Sequence, residues 1–117
     1  MATKRVLIVE DEVLLAEDIR RRVTTMGYEV VGATHAGEEA VHLAKILQPD
    51  LVLMDVRLSG PMDGLEAGRL IEEAVGSALV YVTATPTERM SHHAPKPFTT
   101  ATLAAVIAAA LQNRLQT

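Results

Sequence analysis

Cysteine is absent from the 117-residue sequence. Its absence excludes disulfides, a thiolate nucleophile and any Cys-based zinc site. Aromatic residues are scarce, with Tyr28, Tyr81 and Phe98 the only ones, so the core has to be aliphatic. Long hydrophobic runs are also lacking. The first apolar run, Val6 to Val9, is too short for a signal peptide or a membrane span, which predicts a cytoplasmic protein with no membrane partner. Excess positive charge is missing as well. The net charge is −4 and the basic residues are scattered apart from Arg20-Arg21-Arg22, so no basic face is available for nucleic acid. What is present is a 49% hydrophobic composition over a length suited to one compact domain, which excludes disorder.

Short apolar runs alternate with helical periodicity. Val6 to Val9, Val30-Val31 within Glu29 to Thr34, Leu51 to Met54 and Ala78 to Val82 read as strands. Between them, Val13 to Met26 repeats Leu15, Ile19, Val23 and Met26 at helical spacing, and Gly27 is placed to cap its end. A second helix over Gly37 to Gln48 uses Ala40, Ala44 and Leu47 and stops at Pro49. A third over Gly64 to Ala74 uses Leu65, Gly68 and Ile71, and a last one over Thr100 to Leu115 uses Leu103, Val106, Ile107, Ala110 and Leu111. Regular strand–helix alternation predicts an α/β protein with a doubly wound parallel sheet covered on both faces.

Polar residues stop the apolar runs in an informative way. The first strand ends in Glu10-Asp11-Glu12, the third in Asp55 and the fourth in Thr83. In open parallel sheets ligands bind beyond the carboxyl ends of the strands, at the point where the winding reverses. If the first and third strands are neighbours, Glu10, Asp11 and Asp55 converge there, and mutually repelling carboxylates call for a cation. Hard oxygen donors suit Mg²⁺. Lys96, in Pro95-Lys96-Pro97-Phe98, supplies a further positive charge and Thr83 a hydroxyl donor. A carboxylate, a metal, a lysine and a hydroxyl together describe a phosphoryl-transfer site.

Five stretches, in order, resemble the receiver domains of two-component response regulators. They are Val-Leu-Ile-Val-Glu-Asp-Glu (6–12), Leu-Val-Leu-Met-Asp-Val (51–56), Met-Asp-Gly (62–64), Tyr-Val-Thr-Ala (81–84) and Lys-Pro-Phe (96–98). The resemblance implies a flavodoxin-like fold with strand order 2-1-3-4-5 and a single receiver domain over 1–117 with no output domain. It implies that Asp55 accepts a phosphoryl group from a sensor histidine kinase or a histidine phosphotransfer protein. Asp11 would then be a direct Mg²⁺ ligand, Glu10 a ligand through water, and the Arg57 backbone carbonyl a third protein ligand. Thr83, Lys96 and the Ala84 amide would hold the phosphoryl oxygens. The implied role is a phosphoacceptor signalling protein acting on an unknown downstream protein. It is not a turnover enzyme, and its chemistry is limited to Mg²⁺-dependent self-phosphorylation and self-dephosphorylation. A haloacid-dehalogenase-type phosphatase would want a second aspartate where Arg57 stands.

Simpler readings apply to several residues. Glu12 reads as a first-turn acid favoured by the helix dipole, Asp63 as an N-cap, and Gly64 as a tight turn into a helix. Arg20 to Arg22 read as a solvated helix face, and His35, His42, His92 and His93 as solvated loop residues.

The pattern departs from the family in two places. The loop after Asp55 carries Ser59-Gly60 before Pro61 and is one residue longer than the common form. The larger departure is that Lys96 follows Thr83 by only 13 positions, where a helix, a strand and their turns need about 20. The fourth helix is therefore expected to be lost or reduced, and the fifth strand to span at most His92 to Ala94. The aromatic that the family places three residues before the lysine is replaced by His93. Two readings of the last helix stay open. Ala101, Ala104, Ala105, Ala108, Ala109 and Leu115 either dock a partner or a second copy in a homodimer, or are good helix formers on an exposed face. The eroded segment likewise leaves open a degenerate receiver, used as a phosphorylation-independent interaction or dimerisation module.

Overall fold

The computed structural model describes residues 2–115; the side chain of Leu115, expected on the far face of the last helix, lies outside the described residues. Strands and helices alternate as β1 (Arg5–Val9), α1 (Val13–Thr25), β2 (Glu29–Thr34), α2 (Gly37–Leu47), β3 (Leu51–Asp55), α3 (Gly64–Ala74), β4 (Ala78–Val82), β5 (His93–Ala94) and α4 (Thr100–Leu115). All strand pairs are parallel and the sheet order is β2-β1-β3-β4-β5. Successive side chains of a strand point to opposite faces, so a strand buried on both faces must be apolar throughout. The sequence obeys this. Val6, Ile8, Leu53 and Val80 face α1 and α4, where they meet Ile19, Val23, Leu103 and Ile107. Leu7, Val9, Val52, Met54, Leu79 and Tyr81 face α2 and α3 and meet Ala40, Ala44, Ala67 and Ile71.

Local signals explain the helix ends. Gly27 takes a positive φ of 101° after α1, as the expected cap requires. At the end of α2 the cap is Gln48 itself, at φ 52°, just before Pro49. Asp63 caps α3 by accepting from the Glu66 amide at 2.9 Å. Glu12 precedes α1 as its N-cap residue and makes no side-chain cap.

Between Val82 and His93 the chain forms bends and turns and no helix. One apolar residue of this segment still reaches the core: Met90 is buried against the α2–α3 face. Beside it a hollow of about 470 Å³ opens, lined in part by Glu72, Leu79, Tyr81, His92 and Asn113. It lies where a helix between β4 and β5 would otherwise cover that face. The arginine cluster on α1 is only partly the expected solvated face. Arg22 donates to Asp18 at 2.9 Å and to Thr100 Oγ1 at 2.6 Å, and its guanidinium lies 5.0 Å from the centre of the Phe98 ring. On α4, Ala101, Ala105, Ala108 and Ala109 are exposed and Ala104 is half-buried.

The amino-terminal ends of the strands are clamped by Asp50. Its carboxylate accepts from the Arg5 amide at 2.8 Å and from Arg114 Nη1 at 2.9 Å, while its own amide and carbonyl bond to Arg5 and Ala78. Burial pushes the Asp50 carboxyl up, but the Arg5 amide and the Arg114 guanidinium outweigh it and hold it below the ordinary aspartate range. Such an acid stabilises the fold above its unfolded-state pKa, and the effect is lost as pH falls through the lower folded-state value. Asp50→Ala should therefore lower stability by about 1–3 kcal/mol at pH 7. Urea unfolding should show that difference narrowing as the pH is taken below the usual carboxylate range.

Candidate functional site

The sheet order sets the site. β1 lies between β2 and β3, with Val9 paired to Met54, so the residues that follow the two strands are side by side. α1 and α2 leave on opposite faces of the sheet, which opens a crevice at the carboxyl ends. Glu10 and Asp55 are buried in that crevice, and both face Lys96. The lysine Nζ is 3.2 Å from Glu10 Oε1 and 3.2 Å from Asp55 Oδ1. Backbone amides add to this: Glu12 N donates to Glu10 Oε2 at 3.1 Å and Arg57 N to Asp55 Oδ1 at 3.2 Å.

Burial and the nearby Asp55 charge push the Glu10 carboxyl above its ordinary value, against the opposing pull of the Glu12 amide and Lys96. For Lys96, burial disfavours the ammonium, but Asp55 and Glu10 together outweigh it and raise its pKa. The site thus favours a charged lysine between two acids that repel each other.

The other expected residues are arranged less tightly. Asp11 is exposed and has no ion pair to Lys96; its Oδ1 instead accepts from Ser59 Oγ at 2.5 Å. Thr83 is buried, and its hydroxyl accepts from the Thr85 amide at 3.1 Å in a local turn; it makes no hydrogen bond to Asp55. Its own amide donates to the Ala94 carbonyl at 3.0 Å, which ties the end of β4 to β5 and the lysine loop. Ala84 is exposed just beyond it, and His93 is exposed on β5 opposite Tyr81. The Lys96–Pro97 peptide is cis.

The donor set suits a hard divalent cation. It consists of oxygens only, and Glu10 Oε1 is buried with no hydrogen-bond donor among the described residues, the Lys96 ammonium lying near it without a directed bond. No three His, Cys, Asp or Glu side chains are gathered into a metal cage among the described residues. Mg²⁺ needs no such cage, because it binds through one or two carboxylates and keeps several waters.

Sequence reasoning missed three contributors. Ser59, read only as part of the lengthened loop after Asp55, touches Asp11. Arg22 braces the Phe98–Thr100 turn that follows Lys96, and no local pattern signals a contact 78 residues away. Gly64 was assigned to a tight turn, but its role is close approach: a Cβ there would collide with the Asp55 carbonyl oxygen, and its amide donates to Val56 O at 2.8 Å. Met-Asp-Gly at 62–64 held that signal, since glycine before a helix allows backbone contact.

The sequence profile of the family described as "Response regulator receiver domain" matches residues 6–108. The chain belongs to that family. Among known proteins, the receiver is 34% identical over 119 residues to the phyllosphere-induced regulator PhyR of Methylorubrum extorquens, covering 95% of this chain and 44% of that protein. It is 42% identical over 81 residues to the transcriptional regulatory protein PdtaR of Mycobacterium tuberculosis H37Rv, covering 69% and 39%. The receiver therefore spans less than half the length of these relatives. Among solved structures, the signal receiver domain of a modulated diguanylate cyclase from Desulfovibrio desulfuricans G20 superposes with a TM-score of 0.90 at 30% identity, covering 98% of each chain. Receiver domains are signalling modules, and no helix among the described residues is long and apolar enough to cross a membrane.

In this receiver Gly64→Ala should force the start of α3 away from the end of β3. A loss of about 1–3 kcal/mol is expected from the overpacking, read as a lowered urea midpoint.

Proposed function

We propose that this receiver takes a phosphoryl group on Asp55 from a phosphohistidine of a sensor kinase or phosphotransfer protein, and acts by binding another protein. The observation that carries the reading is the Lys96 ammonium, 3.2 Å from both Asp55 and Glu10. In the transfer, an Asp55 oxygen would form the new P–O bond while the P–N bond to the donor histidine breaks. The imidazole leaves with the electron pair and takes up a proton. Asp55 is buried beside the ammonium, so the nucleophile is desolvated and held in one orientation. Lys96 and the Thr83 hydroxyl would meet the phosphoryl oxygens, with the Ala84 amide as a further donor. In the turn with Thr85 the Thr83 hydroxyl only accepts, so its own O–H can donate to a phosphoryl oxygen.

Receiver domains bind Mg²⁺ at the phosphorylation site. Here Asp11, Asp55, the Arg57 carbonyl and, through water, Glu10 would hold it. When bound, the ion supplies charge neutralisation for the transferring phosphoryl group. With Mg²⁺ and acetyl phosphate, the wild-type chain should become labelled and Asp55→Ala should not. Label that persists in Asp55→Ala overturns the acceptor assignment.

A second reading is a phosphorylation-independent interaction module. It is favoured by the helix-free segment before β5 and by the exposed His93 in the aromatic's place. The absence of both label and Mg²⁺ binding in the wild type would support it. The alanine face of α4 is the surface we assign to a protein partner or a second copy. Size-exclusion chromatography with light scattering, with and without beryllofluoride, should show a change of mass if the partner is a second copy. A monomer in both states removes self-association.

A further inference from the structure

The three acids read as cation ligands are treated differently by the fold. Glu10 and Asp55 are buried and share Lys96, whereas Asp11 is exposed and takes no part in that pairing. Among the described residues, the one hydrogen bond of the Asp11 side chain comes from Ser59 Oγ, 48 residues away, at 2.5 Å. Ser59 is itself anchored. Its backbone forms a parallel bridge with Ala36, the residue that precedes α2, and Gly60 turns the chain away at φ 90°. The loops that follow β1, β2 and β3 are thus joined at one point, and the serine hydroxyl is the part of that junction which touches an acid.

We propose that Ser59 is a positioning residue for the cation site, orienting the Asp11 carboxylate through Oδ1. The proposal rests on the reading of Asp11 as a metal ligand. An exposed aspartate without a partner samples several rotamers, and ordering it on binding weakens affinity. A neutral hydroxyl donating to one carboxylate oxygen removes much of that freedom without cancelling the charge that attracts the cation. Groups that hold a metal's ligands in this way typically change affinity 10–100-fold when removed. The extra residue in the loop after Asp55 then has a use, because it brings the serine over the strand end.

The test is Mg²⁺ titration of the unphosphorylated chain by calorimetry. Ser59→Ala should raise the Mg²⁺ dissociation constant about tenfold, and Ser59→Thr, which keeps the hydroxyl, should restore most of the wild-type value. In acetyl phosphate labelling, Ser59→Ala should need about tenfold more Mg²⁺ for half-maximal rate and reach the wild-type rate at saturation. Thermal melting followed by circular dichroism should be unchanged, since Ser59 is exposed. Unchanged or tighter Mg²⁺ binding in Ser59→Ala overturns the proposal, as does failure of Ser59→Thr to restore binding. Asp11→Asn separates the two ideas. Wild-type Mg²⁺ affinity in that variant overturns the metal-site reading itself. Loss of affinity there with normal binding in Ser59→Ala overturns only the role of the serine.

Discussion

The sharing of one ammonium by two buried carboxylates constrains the rest of this receiver. Glu10 follows β1 and Asp55 ends the neighbouring parallel β3, and burial together with the Asp55 charge pushes the Glu10 carboxyl up against the opposing pull of the Glu12 amide and Lys96. The lysine has to be carried to them from the far edge of the sheet, by a two-residue strand and a proline-flanked turn. That delivery depends in turn on the Arg22 contacts to Phe98 and Thr100 and on the Thr83 amide bonded to Ala94. With Asp11 included, the four side chains sum to −2, the charge that one divalent cation cancels.

The sheet divides its work between its two ends. At the amino-terminal ends, Asp50 joins β1, β3 and β4 to the last turn of α4, and Ser77 Oγ bonds to the Pro49 carbonyl at 2.7 Å. Those groups are fully engaged. At the carboxyl-terminal ends the polar groups are held in less committed arrangements: one glutamate oxygen with no directed donor among the described residues, a threonine bonded to its own turn, an exposed aspartate on a serine. Rigid anchoring below lets the upper ends keep groups that another molecule can rearrange.

Much of this was legible in the sequence, for stated reasons. Strands buried on both faces leave uninterrupted apolar runs, so β1, β3 and β4 were plain, and the acids that end them pointed to the crevice. The shortage of residues between Thr83 and Lys96 foretold a missing helix. Met90 was not legible, because a single buried apolar residue has no period. Ser59 and Arg22 were hidden because their partners lie 48 and 78 residues away. Gly64 was visible as a glycine, but only the packed backbone shows that it abuts Asp55.

The helix-free segment from Thr83 to His92 has a thermodynamic consequence. A packed helix detaches from a sheet only by exposing a whole apolar stripe, whereas this segment, hydrogen-bonded at its two ends, buries the single apolar side chain of Met90 between them. Burying one such side chain is worth about 2 kcal/mol, far less than the apolar stripe of a docked helix. A rearrangement of Thr83 at one end of the segment would therefore have little apolar packing to undo in its middle.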